Sequence, residues 1–107
     1  MSLSTPMVKH EFDVFVMRGK ETCMVEFFAD WCKPCKTLES TMWNIDARYA
    51  GRFPMYKINI EDESEIASGF GVKAVPTVIF FKGGKAYKTV VGLQPEKTYV
   101  DIISEII

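Results

Sequence analysis

Cys32 and Cys35 stand three positions apart in FFADWCKPCKTL (residues 27–38), with Lys33 and Pro34 between them and Lys36 after. A pair so spaced can grip a metal, staple a loop or exchange electrons. Structural zinc takes four ligands, commonly two such pairs or one pair plus two histidines. Only Cys23, His10 and carboxylates remain here, with no second pair, so no metal is expected. A purely structural bridge over so short a loop would constrain the unfolded chain little. Redox chemistry has a positive argument. The pair falls where the apolar run ending in VEFFADW gives way to a helical repeat, and the unpaired N–H groups of a helix start favour an anion.

A thiolate is such an anion. Lowering a thiol pKa from about 8.5 to about 7 raises its ionised fraction at pH 7 from about 3% to about 50%, for about 2 kcal/mol. Cys32, just before the helix, is expected to gain most and to stay accessible. Cys35, one turn inside, is expected to be shielded. One thiol then attacks and the other resolves.

The elements that must position this pair are legible from spacing. Phe12, Phe15 and Val16 recur at helical intervals between His10 and Arg18, with Gly19 as a stop. CMVEFFA (23–29) reads as a buried strand. From Pro34 to Ala50, Cys35, Leu38, Met42, Ile45 and Tyr49 mark one face of a helix ending at Gly51, with Pro34 at its first position. MYKINIE (55–61) is a strand, and DESEIASGF (62–70) a short helix with acidic residues at its start. VIFF (78–81) and KAYKTVV (85–91) flank KGG (82–84), a hairpin signature. A last helix over 94–107 places Tyr99, Ile102, Ile103 and Ile106 together. The order α-β-α-β-α-β-β-α implies an α/β fold, a mixed sheet with helices on both faces.

Composition narrows the function classes. The 107 residues are enough for one domain, placed at 8–107 behind a loose lead-in over 1–7 whose first three positions are compatible with a cloning scar. Thirteen basic and fourteen acidic residues give a net charge of −1, with no basic stripe for nucleic acid or anionic membrane. The longest apolar stretch, around Val75 to Phe81, is broken by Pro76 and falls short of a membrane span. MSLSTPMVKHEF has no secretory pattern, and three cysteines make no disulfide framework. The expected setting is the reducing cytoplasm.

The chain resembles the thioredoxin family over nearly its whole length from about Val8. VEFFADWCKPCK, KINIEDE, GVKAVPTVIFFKGGK and VVGLQP occur in family order and at family-like separations. The resemblance implies a thioredoxin-like three-layer α/β/α sandwich and a dithiol–disulfide oxidoreductase that reduces protein disulfides. It implies a redox-active Cys32–Cys35 disulfide with no metal and no organic cofactor, and a monomer regenerated by a thioredoxin reductase or an equivalent donor. It places a cis peptide before Pro76, a bond type almost confined to X–Pro. The Val75 backbone would pair with an extended substrate segment, and Trp31, Pro34, Val75, Gly92 and Leu93 would form an apolar rim around Cys32.

This sequence departs from the family in informative places. Glu26 stands where an aspartate is usual. A carboxyl in mid-strand is expected to be buried and to exchange protons near neutrality. Glu26 would then take the proton of Cys35 through a water, with Lys57 as its partner from the next strand; a purely structural Glu26–Lys57 pair is the alternative. Lys33 replaces a glycine and either favours the Cys32 thiolate or is merely solvated. Ser40 lies where a helix proline is usual. Cys23 is unmatched and reads as a small buried hydrophobe, and His10 as a surface residue. Two rivals to the reductase remain: a thiol oxidant or isomerase of the same fold, and a redox-idle binding module using the Trp31, Pro76 and Gly92 surface.

Overall fold

Short apolar runs become strands and 3.6-residue repeats become helices in a computed structural model that describes residues 3–107. The chain opens with α1 (Lys9–Glu11), which continues as π-type turns over Phe12–Arg18. Then follow β1 (Cys23–Phe28), α2 (Lys33–Arg48), β2 (Met55–Asn59) and α3 (Ser64–Gly69). The hairpin β3 (Thr77–Lys82) and β4 (Lys85–Val91) precedes α4 (Glu96–Ile106). This is the expected order.

The four strands lie in the order β2-β1-β3-β4. β1 is parallel to β2 and antiparallel to β3, and β3 is antiparallel to β4, so the sheet is mixed. Central β1 alternates with period two. Met24 joins the core under α2 and α4, whereas Val25 and Phe27 join the core under the first helix and α3. Two cores on opposite sides of one sheet make the three layers that the resemblance implied. Gly83 and Gly84 adopt φ of +62° and +80°, the pair of left-handed residues a two-residue hairpin requires.

Several boundaries move for identifiable reasons. β2 stops at Asn59 rather than Glu61, because the Asn59 Oδ1 accepts from the backbone N–H of Glu61 at 2.8 Å and of Asp62 at 3.3 Å. That local turn competes with the ladder. Helix α2 begins at Lys33, so Pro34 occupies its second position, where a missing N–H still costs no helix bond. It runs unbroken through Ser40. In the first helix Phe12 and Val16 are buried, but Phe15 is exposed and stacks on Tyr56 at 6.4 Å between ring centres. Of the lead-in expected to be loose, Met1 and Ser2 lie outside the described residues. Leu3 and Met7 are buried in opposite cores, and the Met7 N–H donates to the Lys57 carbonyl at 2.7 Å.

The exit from α2 is also shorter than expected. The helix ends at Arg48, and Ala50 and Gly51 both turn left-handed, with φ of +52° and +73°. Gly51 suits that conformation and Ala50 does not. Ala50→Gly should therefore stabilise the protein by about 0.5–1 kcal/mol, read as a rise in the urea midpoint at unchanged slope; a fall would show that no strain resides there.

Candidate active site

Sequence places Cys32 at the seam between β1 and α2, and packing makes that seam rigid. The Cys32 N–H donates to the Ala29 carbonyl at 3.1 Å, closing the turn that leaves the strand. Lys36 clasps the same turn through its Nζ, 2.9 Å from the Asp30 carbonyl. Three turns of α2 then sink Leu38, Met42 and Ile45 into the core, each burial contributing roughly 1.5–3 kcal/mol. Cys32 becomes the N-cap of α2, and its Sγ accepts the Cys35 backbone N–H at 3.1 Å. This is the helix-terminal position the anion argument needs.

Cys32 and Cys35 are joined as a disulfide, with Cα atoms 5.3 Å apart. The expected contrast in exposure is absent: Cys32 is 3% exposed and Cys35 5%. Both sulfurs pack with Ala29, against Phe28, Ile60 and Val75. Their surroundings differ instead. Cys32 caps the helix beside Trp31, while Cys35 faces inward and lines a cleft of about 160 Å³ shared with Glu26, Lys57 and Glu39.

The residues expected at a rim are found as follows. Trp31 is 66% exposed, and its indole N–H donates to the Glu61 carboxylate at 3.2 Å, which fixes the ring's tilt. Lys33, Pro34 and Leu93 are exposed, Val75 and Gly92 are half-buried, and Pro76 is buried. The Val75–Pro76 peptide is cis. Two bonds hold this loop: the Gly92 N–H donates to the Pro76 carbonyl at 2.8 Å, and the Thr77 hydroxyl to the Ala74 carbonyl at 2.6 Å. Gly92 makes that bond at a left-handed φ of +83°, and a Cβ there would meet nothing within 4 Å, so the demand for glycine is conformational and not one of space. Val91, 57% exposed and two residues before Leu93, extends the apolar surface.

Glu26 is 6% exposed, and burial pushes its pKa up to about 7; Lys57 opposes this and Glu39 adds to it. Lys57 is its register partner on β2, yet among the described residues no ion pair joins them. The Lys57 ammonium sits instead over the Phe28 ring, 5.2 Å from its centre. The expected direct pair is thus replaced by a field acting across a cleft. Cys23 is fully buried with its thiol pushed up to about 12, chiefly by desolvation, which fits an inert core residue. His10 is exposed. Among the described residues no cluster of histidines, cysteines and carboxylates is arranged to hold a metal. Glu61, Phe28 and Glu39 carried no signal of their own in the sequence; only the four-residue step from Cys35 to Glu39 on one helix face offered a hint.

The Glu26 carboxyl binds its proton more tightly folded than unfolded, where it takes the ordinary 4.5. Its contribution to stability is therefore complete below about pH 4.5 and is lost as pH rises through about 7. Urea unfolding of the oxidised protein should show stability falling by up to about 3 kcal/mol across that window. Glu26→Gln should flatten the curve; an unchanged slope would mean that the carboxyl is not the group responsible.

Comparison with known proteins agrees with this architecture. The family model described as Thioredoxin matches residues 4–105. The maize protein "Thioredoxin M-type, chloroplastic" is 34% identical over 96 residues, covering 90% of this chain. The chain spans only 58% of that relative's own length. "Thioredoxin 1" of Nostoc is 31% identical over 98 residues, covering 92% of each. The crystal structure of the germline-specific thioredoxin Deadhead from Drosophila melanogaster superposes with a TM-score of 0.74 at 23% identity, covering 82% of this chain and 83% of that one, which supports the fold. By the extent of the family match and by its Trp-Cys-Lys-Pro-Cys pair at a helix N-terminus, this chain belongs to the thioredoxin family.

Proposed function

We propose that this chain is a thiol–disulfide oxidoreductase that reduces protein disulfides through Cys32 and Cys35. One observation carries the reading: the Cys35 N–H aimed at the Cys32 sulfur, 3.1 Å away, where α2 begins. In the reduced protein that donor and the helix dipole would meet a thiolate and lower its pKa. The anion attacks one sulfur of a substrate disulfide, forming a Cys32–substrate bond and expelling the other substrate sulfur as a thiolate. Cys35 then gives its proton to Glu26 through a water in the cleft and attacks the Cys32 sulfur. The Cys32–Cys35 bond forms, the second substrate thiolate leaves, and two electrons have passed to the substrate. A reductase supplying two electrons and two protons restores the dithiol.

Substrate recognition is assigned to the surface around Cys32. Trp31, Pro34, Val75 and Leu93 offer apolar contact, and Gly92 leaves room for backbone approach. An extended segment would pair with the Val75 backbone while the Pro76 ring covers the sulfurs. Lys33, exposed beside Cys32, adds a cation that favours the thiolate. Disulfide-bearing proteins are the proposed substrates, met by a monomer in the cytoplasm; the low cysteine count suits a reducing compartment. Neither the oxidant or isomerase reading nor the redox-idle binding module gains an observation of its own.

Replacing Cys32 with serine should reduce turnover of a disulfide-bonded protein such as insulin by more than about 1,000-fold. Cys35→Ser should instead accumulate mixed disulfides on Cys32, seen as mass additions that dithiothreitol removes. Turnover surviving in Cys32→Ser would end the reading. Glu26→Gln should slow the resolving step by about 10- to 100-fold while leaving the first attack nearly intact in stopped-flow kinetics. Equal slowing of both steps would remove Glu26 from the proton path.

A further inference from the structure

Three carboxylates line the cleft beneath Cys35: Glu26, which is buried, and Asp30 and Glu39, which are exposed. Glu26 comes from the central strand and Glu39 from α2, one turn beyond Cys35 on the same helix face. Both line the same space of about 160 Å³, large enough for several waters. Two lysines, Lys36 and Lys57, also reach this cleft, but each is committed elsewhere. Lys36 donates to the Asp30 carbonyl at 2.9 Å, and Lys57 lies over the Phe28 ring. Among the described residues, none of these four side chains takes part in an ion pair. Glu26 and Glu39 therefore share one cleft, and among the described residues neither is neutralised by an ion pair.

We propose that Glu39 is a positioning residue for the resolving step, governing through its charge when Glu26 holds a proton and so setting the pH window in which Cys35 can be deprotonated. The inference rests on the oxidoreductase reading above. Glu26 is only 6% exposed, so its ionisation is governed by burial and by the charges that share its cleft. Lys57 from β2 favours the ionised form, and Lys36 from α2 is the other cation lining the cleft. Glu39 from α2 opposes it, and Asp30 from the turn after β1 is the other exposed carboxylate lining the cleft. Tyr99 of α4, on the same side of the sheet, is held neutral by burial, and β3 presents the uncharged Val78 opposite Glu26. Of the two exposed carboxylates, Glu39 lies one turn beyond Cys35 on the same helix and lines the cleft with Glu26, and its field raises the Glu26 pKa. With Glu39 in place the buried carboxyl keeps its proton to higher pH, and resolution is delayed until the medium is near neutral. No bond changes at Glu39 itself, whose part is electrostatic.

The test reads the Glu26 carboxyl directly. Its side-chain ¹³C signal is titrated by NMR in the oxidised protein, for the unmodified chain, Glu39→Gln, Glu39→Lys and Asp30→Asn. The Glu26 midpoint should fall in Glu39→Gln, by about half a pH unit, and further in Glu39→Lys, with Asp30→Asn moving it less than either. In single-turnover kinetics, resolution at pH 6 should then be about two- to threefold faster in Glu39→Gln than in the unmodified protein, and the two should converge above pH 8. A midpoint that stays put in both Glu39 variants overturns the proposal. So does an equal or larger movement in Asp30→Asn, or a midpoint that falls while the pH profile of resolution does not. Absence of turnover in the unmodified protein would overturn the oxidoreductase reading and this inference together, a result distinct from the others because the titration needs no turnover.

Discussion

A backbone N–H held toward a sulfur at the first turn of a helix is the contact on which this site depends. An N–H group with no partner in its own helix is available to any anion, but only a fixed helix presents it in one place. Here the helix is fixed at its far side. Leu38, Met42 and Ile45 bury against the sheet, so the turn carrying Cys32 and Cys35 inherits the stiffness of the core. The strand before it ends in a turn closed by the Ala29 carbonyl and clasped by Lys36. The pair is therefore set between two well-packed elements.

The same packing creates a carboxyl with an unusual environment. Burying Glu26 in the central strand is unfavourable for its charged form, and among the described residues no ion pair relieves it. A structure selected only for stability would have an apolar side chain there, as Met24 and Val78 are nearby. The same burial that costs stability at neutral pH raises the proton affinity of the carboxyl toward neutrality. Lys57 and Glu39 act on it from opposite directions, and both do so at a distance. Such fields respond to single charge changes without disturbing the fold.

Around Cys32 the surface is apolar and held from behind. The Gly92 N–H fastens the strand that follows to the Pro76 carbonyl, and Glu61 anchors the Trp31 indole. Trp31, Val91 and Leu93 remain exposed although large, in a chain that buries most of its aromatic and aliphatic side chains. The docking surface proposed for an extended segment would rest on these exposed apolar groups.

Much of this was legible beforehand. The apolar spacing of Leu38, Met42 and Ile45, the Gly83–Gly84 hairpin and the face formed by Tyr99, Ile102, Ile103 and Ile106 all appear in the structure as read. These features answer to local rules: periodicity, turn residues and helix starts are set by neighbours a few positions away. Boundaries slipped where a side chain made an unforeseen bond, as Asn59 did in ending β2. The chain's own order of residues thus determined the elements, the three layers and the seat of the cysteine pair at the mouth of α2. Only the folded arrangement decided that both sulfurs are equally enclosed, that Lys57 lies over Phe28 instead of bonding Glu26, and that Glu39 shares the cleft. Those facts depend on strand register and on how a helix rolls against a sheet, which bring together residues far apart in the chain by distances no local pattern encodes.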